Sequence, residues 1–263
     1  MRRQPKQIIP RHPDLSAQKY YKRTLPLLKH LHQVTVTNLK PALDWYRVAR
    51  ELEVTQDAYL DSSPRFFRKA KEKFQTQLLK AQQEATWSNQ SVAKVVKPSY
   101  TDTLSVARGN LMRQRILMPH PDPKHVAQYL QQNIELIQTI PQRSFSTLAR
   151  MLDKHIEGNA TVETLAATIE SRYGVTESQA ALIAKDQVQK LNSQLTRDAY
   201  VEAGVTKGVW VTCEDERVRP SHQEVNGKEY DLEEGLEVDG ELTFPGMPIN
   251  CRCFCQPNLQ DIK

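Results

Sequence analysis

Several features that mark common classes of protein are missing from this sequence. No uninterrupted apolar run approaches the roughly 18 residues of a membrane span. No apolar segment follows the basic start, so we expect no secretory signal and synthesis in the cytosol. There is also no Gly-rich phosphate loop, no nucleophile elbow and no His-Glu-x-x-His motif. The sequence therefore lacks the local signatures of P-loop enzymes, serine hydrolases and zinc proteases.

Cysteine is scarce and confined to one region. The chain has four, Cys213, Cys251, Cys253 and Cys255. The last three alternate, so on a single strand they would point the same way, and immediate neighbours at that spacing are poorly placed to form a disulfide. In a reducing compartment they are expected to be thiols or metal ligands.

The composition is that of a soluble globular protein with an uneven charge. The 263 residues are 39% apolar and 25% charged, which allows one large domain or two ordinary ones. Residues 1–80 contain 17 Lys or Arg against 7 Asp or Glu, whereas residues 213–263 contain 5 against 12. The basic front could meet nucleic acid or an acidic protein surface, or it could be the solvated side of helices.

The hydrophobic pattern predicts an α+β fold, mostly helical in the N-terminal and middle regions, with a small β-rich C-terminal domain. We expect a basic extended arm over residues 1–13, a helical N-terminal region over 14–122, a helical middle region over 123–204 and a β-rich domain over 205–263. Proline or glycine is expected to end, kink or separate helices at Pro26, Pro41, Pro141 and Gly174. Gly158 suits a helix C′ position, and Thr176 with Gln179 resembles a capping box.

The helix beginning at Ser62-Ser63-Pro64 has a basic back. Its apolar stripe includes Phe67, Phe74 and Leu78. The opposite face carries Arg65, Arg68, Lys69, Lys71, Lys73 and Lys80, which are candidates for contact with a partner protein or DNA.

After Gly204 the period of the hydrophobic pattern changes from that of a helix to nearly two residues. Alternation around Val209 predicts a strand, and further strands are expected within residues 236–244 and 252–256. Asn226-Gly227 is the strongest hairpin signal that we identify.

The C-terminal region supports three chemical interpretations. His222, Cys251 and Cys253, with Cys213 or Cys255 as a fourth ligand, could hold zinc, although Cys-x-Cys is not the usual spacing. Asp215, Arg217 and His222 could form an acid–base set, or Glu214, Asp215, Glu216 and Glu224 could hold a divalent cation. Alternatively, the cysteines are buried apolar residues, and the carboxylates form ion pairs with Arg217, Arg219 and Arg252.

The same region resembles the phage Mu F-like, or SPP1-type, minor head proteins, also called head morphogenesis proteins of tailed phages. The resemblance lies in Trp210-x-Thr-x-x-Asp215-x-Arg217-Val-Arg219-x-x-His222, Gly227, Pro245-Gly246 and Asn250-Cys251-Arg252-Cys253. It extends upstream to about residue 134. Some members have Cys-x-x-Cys where this chain has Arg219-Pro-Ser-His222, so only three ligands of a four-ligand zinc site remain here unless Cys213 or Cys255 joins them.

The resemblance implies a non-enzymatic component of the virion, in the phage head interior or near the portal, and in the host cytoplasm during assembly. Its partners would be the portal protein, with phage double-stranded DNA and the major capsid or scaffolding protein as further candidates, and no membrane. No resident cofactor is implied, with zinc left open. Some relatives carry a toxin domain after the motif, and none is expected here. Residues expected to maintain the motif are Trp210, Asp215, Arg217, His222, Gly227, Asn250, Cys251, Arg252 and Cys253. The alternatives are a metal-dependent hydrolase of nucleic acid or protein, or a DNA-binding module within residues 1–80.

Overall fold

Helices account for most of the protein, as the sequence predicts. The computed structural model describes residues 13–55 and 64–258, so the basic arm predicted over residues 1–13 falls outside them except for Pro13. The helices are α1 (Asp14–Thr55), α2 (Pro64–Glu84), α3 (Asn89–Arg113), α4 (Pro123–Glu157), α5 (Val162–Glu202) and the short α6 (Pro220–Glu224). The mostly helical α+β class is confirmed. In the described part of the chain, no helix has the length and apolarity needed to cross a bilayer.

Within residues 205–258, five short strands follow the long helices, with α6 between the first two. They are β1 (Lys207–Val211), β2 (Glu229–Asp231), β3 (Leu236–Val238), β4 (Glu241–Thr243) and β5 (Phe254–Pro257). β1 lies between β2 and β5, antiparallel to both, and Trp210 pairs with Cys255. β3 and β4 form a separate antiparallel pair.

Three of the predicted helix boundaries are wrong. Pro41 lies inside α1, Pro141 inside α4 and Gly174 inside α5. Thr176 does not cap a helix: its hydroxyl donates to the carbonyl of Arg172 within α5 at 2.9 Å. A glycine costs a helix interior only about 1 kcal/mol, so packing of the flanking residues can outweigh it. Pro26 also lies inside α1.

The left-handed residue after α4 is Asn159, with φ 56°, not Gly158 as predicted. Ala160 N–H reaches back to the carbonyl of His155 at 2.9 Å, as in a Schellman motif. At the other side of this turn, Thr161 caps α5 by accepting the Thr164 N–H at 3.3 Å.

The predicted hairpin at Asn226-Gly227 is also wrong. These residues connect α6 to β2, and the partner of β2 is β1, on the other side of α6. The two-residue hairpin turn in the structure is Asp239-Gly240, between β3 and β4, with φ values of 56° and 80°. Positive φ at both positions is what a type I′ turn requires.

The described residues form two compact units. One contains the described residues within Arg23–Ala93 and Ile134–Ala180. Its core includes Tyr46, Phe74, Leu152 and Ile156, all fully buried, and the Tyr46 hydroxyl donates to the Ala160 carbonyl at 2.9 Å.

The other unit comprises the described residues within 13–22, 94–133 and 181–258. Its largest buried side chain is Trp210, at 0% exposed. The core joins helical residues Leu111, Ala199 and Tyr200 to the strand region, including Cys251, Cys253 and Cys255. The three cysteines were predicted to share a strand, but they do not. β5 begins at Phe254, so Cys251 and Cys253 precede it.

Candidate functional site

The site is built around His222, which the short helix α6 holds in the interior. Pro220 opens this helix with its fixed φ, a favoured choice for a first helical position. The His222 N–H donates to the Arg219 carbonyl at 3.0 Å. The imidazole is only 2% exposed and meets the Trp210 ring edge to face, with centroids 5.4 Å apart.

Two cysteines converge on this imidazole. The Nδ1 atom of His222 lies 3.5 Å from the Sγ of Cys251 and 3.4 Å from the Sγ of Cys253. One ligand atom from each residue lies within 4.8 Å of the other two, and all three residues are buried. Among the residues that the structure describes, this is the one group of three or more His, Cys, Asp or Glu side chains that could hold a metal ion.

The loop that carries the two cysteines is fixed by polar contacts from α5. Asp186 accepts the backbone N–H of Asn250 at 2.8 Å, and Gln189 donates to the Cys253 carbonyl at 3.3 Å. Asn250 itself has a positive φ of 56°, which Asn tolerates better than most residues. Arg219 donates to the Ile249 carbonyl at 2.6 Å.

A further contact comes from the Pro245-Gly246 turn. The Gly246 N–H donates to the Sγ of Cys251 at 3.4 Å. Gly246 has φ 84°, and a Cβ at this position would lie 2.0 Å from the Oγ of Ser193. Only glycine therefore lets this backbone approach α5 and direct its N–H to the sulfur.

The other two candidate sulfur ligands lie outside the cluster. Cys213 is half-buried and lines the cleft beside the cluster, but it is not one of the three converging residues. Cys255 lies in the core and packs against Gly208, where an added Cβ would be 2.5 Å from the Cys255 Sγ. Burial raises the pKa of the Cys255 thiol to about 12, as expected of an apolar core residue.

The two clustered thiols differ in acidity. The hydrogen bond with Cys253 lowers the pKa of Cys251 to about 6, despite the opposing effect of burial. The same hydrogen bond, followed by burial, raises the pKa of Cys253. Cys251 is therefore the first of the pair to become a thiolate.

Asp215 is engaged away from His222. Both of its carboxylate oxygens accept hydrogen bonds from the Arg252 guanidinium, and one also accepts the Arg217 N–H at 3.0 Å. The hydrogen bond with Arg252 lowers the pKa of Asp215 to about 2. Asp215 and Arg217 thus contact each other, whereas His222 contacts the two cysteines, so the structure does not bring the three residues together as an acid–base set. Glu214, Glu216 and Glu224 are exposed.

A cleft of about 280 Å³ opens beside the cluster. Its walls include all three clustered residues and four basic side chains, Lys185, Arg217, Arg219 and Arg252. The cleft is slightly smaller than ordinary small-molecule pockets, which measure about 300–1,000 Å³.

Gly227 and Asn226 tie α6 to β1. Gly227 has φ 78°, and its N–H donates to the Trp210 carbonyl at 2.7 Å. The Asn226 side chain accepts the Thr212 N–H at 3.0 Å.

The basic residues of α2 belong to the other compact unit. Lys69 and Lys73 lie over the Trp45 ring, with Nζ atoms 5.8 and 5.4 Å from its centroid. The Lys71 ammonium group donates a hydrogen bond to the Glu157 carboxylate. The Nε atom of Arg68 lies 3.8 Å from the Oε1 atom of Glu72. Arg65 and Lys80 are exposed.

Sequence reasoning missed the contributions of Asp186 and Gln189. A signal was present: Gln189, Asn192 and Thr196 follow helical spacing beside the apolar stripe of α5, and all three are at most 8% exposed. Polar residues on the buried side of a helix need partners, and for Gln189 the partner is the cysteine loop.

Comparison with known proteins identifies this region. The family described as Phage Mu protein F like protein matches residues 147–256. An uncharacterized protein of Haemophilus influenzae is 33% identical over 129 residues, covering 49% of this chain and 28% of that protein. An Enterococcus faecalis protein named NAD(+)--arginine ADP-ribosyltransferase EFV is 32% identical over 108 residues, covering 37% of this chain and 22% of that protein.

The chain thus spans less than a third of the length of these curated relatives. No solved structure matches it significantly. The family match contains the complete His222, Cys251 and Cys253 cluster with Asp186 and Gln189. The predicted resemblance to the phage Mu F-like family is therefore confirmed over residues 147–256.

Proposed function

We propose that this chain is a minor head protein of a tailed phage or prophage, associated with the portal and assisting head morphogenesis, DNA packaging or DNA ejection. The observation that carries the proposal is the family match over residues 147–256. Under this proposal the chain lies in the head interior or near the portal of the virion, and in the host cytoplasm during assembly.

The chemistry of the site supports a structural rather than an enzymatic role. His222 faces two cysteines of its own fold, and Asp215 is held by Arg252. A general base must reach the proton that it abstracts, whereas these side chains are engaged in fixing α6 and the cysteine loop. We propose that they maintain the shape of a docking module.

The name of the Enterococcus faecalis relative describes a transferase, but this chain covers only 22% of that protein. We propose that the shared segment is a head-associated module. ADP-ribosyl transfer to arginine remains the activity to test against this proposal.

The basic side of α2 is the candidate contact surface of the other unit. Arg65, Lys69, Lys73 and Lys80 are exposed there. Clustered cations favour an acidic protein surface or DNA phosphates. The portal protein is the proposed first partner, with phage double-stranded DNA and the capsid or scaffolding protein as further partners.

The test is to follow the chain during assembly of its own phage. Heads are purified after induction and their proteins are quantified by mass spectrometry, from the parent phage and from a mutant lacking the portal protein. We expect the chain in parental heads, in a few copies, and its loss from heads that lack the portal. Absence from the parental heads would overturn the proposal.

A second experiment addresses enzymatic alternatives. The purified chain is incubated with DNA or casein in the presence of Mg²⁺ or Zn²⁺, and with NAD⁺ and an arginine peptide. We expect no turnover above that of His222→Ala protein in any of these reactions. Turnover that disappears in the variant would establish an enzyme instead.

A further inference from the structure

We infer that His222, Cys251 and Cys253 bind one zinc ion, with a fourth position open to the adjacent cleft. The inference concerns the chemistry of the cluster and does not depend on a role in the phage head. It rests on the spacing of the three ligand atoms, their burial and the contacts that hold them.

The spacing fits a tetrahedral metal centre. Zinc binds histidine nitrogen at about 2.0–2.1 Å and cysteine sulfur at about 2.3 Å. Two such bonds at the tetrahedral angle place nitrogen and sulfur about 3.6 Å apart. The Nδ1 atom of His222 lies 3.5 and 3.4 Å from the two sulfurs. An ion can thus reach all three atoms with little movement of the chain.

The chemistry of the ligands selects the metal. Two thiolates with one imidazole suit zinc, whereas magnesium and calcium prefer oxygen ligands. His222, Cys251 and Cys253 are at most 5% exposed. The Nδ1 atom of His222 faces both sulfurs, so the nitrogen and the two sulfurs converge on one point.

The surroundings already orient the ligands. The Gly246 N–H donates to the Sγ of Cys251, and Gln189 holds the carbonyl of Cys253. Such outer contacts orient metal ligands and are part of an effective site. Here the outer contacts come from the Pro245-Gly246 turn and from α5, whereas the histidine ligand lies on α6.

The fourth position is assigned to solvent. All three ligands line the same cleft of about 280 Å³, so its contents can approach the proposed ion. Cys213 also lines this cleft but stands outside the converging group. The proposal therefore takes the ligand set as one histidine and two cysteines, without Cys213.

A zinc ion here would join two segments that lie 29 residues apart along the chain. His222 comes from α6, and Cys251 from the loop before β5. Because an assembled ligand set exists only in the folded chain, the free energy of metal binding would stabilise that fold. The consequence is a thermal stability that depends on zinc.

The experiment uses the untagged full chain purified under reducing conditions. Zinc is measured by elemental analysis, and the zinc is then exchanged for Co²⁺. We expect one zinc per chain, a lower Tm after treatment with a chelator, and recovery of Tm on adding Zn²⁺. The Co²⁺ protein should show thiolate-to-cobalt charge-transfer absorption.

Variants then identify the ligands. His222→Ala, Cys251→Ser and Cys253→Ser should lose stoichiometric zinc. Cys213→Ser and Cys255→Ser are matched controls and should retain it. If a ligand variant does not fold, the Co²⁺ spectrum of the unaltered chain still reports thiolate coordination.

Several results would overturn the inference. One is a metal-free chain that neither takes up Zn²⁺ nor gains stability from it. Another is a Co²⁺ spectrum without thiolate bands. A third is a mass lower by two hydrogens, which would show a disulfide between Cys251 and Cys253. Zinc loss from Cys213→Ser would overturn the three-residue ligand set.

Discussion

Asp215 and Arg252 are joined by two parallel hydrogen bonds between a carboxylate and a guanidinium group. The two residues stand 37 positions apart along the chain. Arg252 lies between Cys251 and Cys253, so the pair links the loop after β1 to the cysteine loop. Bidentate geometry makes this ion pair more directional than most near a surface.

The first prediction concerns pH. The folded pKa of Asp215 is lowered to about 2, below about 3.9 for a free carboxyl. A carboxyl group whose pKa is lower in the folded state than in the unfolded state stabilises the fold. This stabilisation is complete at a pH above the pKa of the unfolded state, and it is lost as the pH falls through the pKa of the folded state. The contribution of Asp215 should therefore fade between about pH 4 and pH 2.

Urea unfolding of the unaltered chain and Asp215→Asn from pH 7 to pH 2 measures this effect. The difference in unfolding free energy between them should shrink across that window. A difference that stayed constant down to pH 2 would show that the carboxylate charge contributes nothing.

The second prediction concerns Gly246. Alanine there would combine a left-handed backbone with a Cβ 2.0 Å from the Oγ of Ser193. Gly240→Ala is the control, because Gly240 has a similar φ of 80° but an added Cβ there would meet no atom within 4 Å. The control should lose about 1–2 kcal/mol from the backbone alone, and Gly246→Ala about 1–3 kcal/mol more from overpacking. Equal losses in chemical denaturation would remove the argument from close packing.

The third prediction concerns Gly208 in β1. Its added Cβ would lie 2.5 Å from the Sγ of Cys255 and 2.9 Å from the Cδ2 of Leu232. Gly208→Ala should cost about 1–3 kcal/mol. Combining it with Cys255→Ala removes the nearer clash and fills part of the vacated space. The double variant should thus be more stable than the sum of the single effects predicts, and strict additivity would contradict direct contact.

The fourth prediction concerns the contact surface on α2. Lys69→Gln with Lys73→Gln removes two exposed cations that lie over Trp45. If both contact phosphates, the slope of log affinity for duplex DNA against log salt should fall in magnitude by about 2. If they contact the portal instead, portal binding should weaken while DNA binding stays unchanged. The control is the double variant Lys94→Gln with Lys97→Gln, which removes two exposed lysines on α3. If the α2 and α3 double variants weakened binding equally, a specific role for α2 would be refuted.

Local patterns in the sequence were enough to predict some elements well. The α2 stripe fixes a helix that begins at Pro64, and the alternation around Trp210 fixes β1. Pro141 and Gly174 misled the prediction because the buried residues on either side, such as Ile140 and Thr176, continue the helical packing. Such packing acts over long sequence distances, which a local pattern does not contain.

The cluster itself was only partly foreseen. The sequence nominated His222, Cys251 and Cys253, with Cys213 or Cys255 as a fourth ligand, but it could not decide whether either of these two cysteines joins the cluster. The selection depends on where β5 begins, since Cys255 is drawn into the sheet opposite Trp210 while the other two stay in the preceding loop. The Asp239-Gly240 hairpin was overlooked because Asn226-Gly227 was taken as the strongest hairpin signal, although both dipeptides suit a type I′ turn.

The Asn226-Gly227 pair also bears on chemical ageing of the protein. Deamidation of asparagine begins when the following backbone nitrogen attacks the side-chain amide carbon, and a glycine offers the least obstruction. Here the Gly227 nitrogen is held by the Trp210 carbonyl at 2.7 Å, and the Asn226 oxygen is held by the Thr212 N–H. The folded chain thus restrains both reacting groups, so succinimide formation should proceed mainly in molecules that have unfolded.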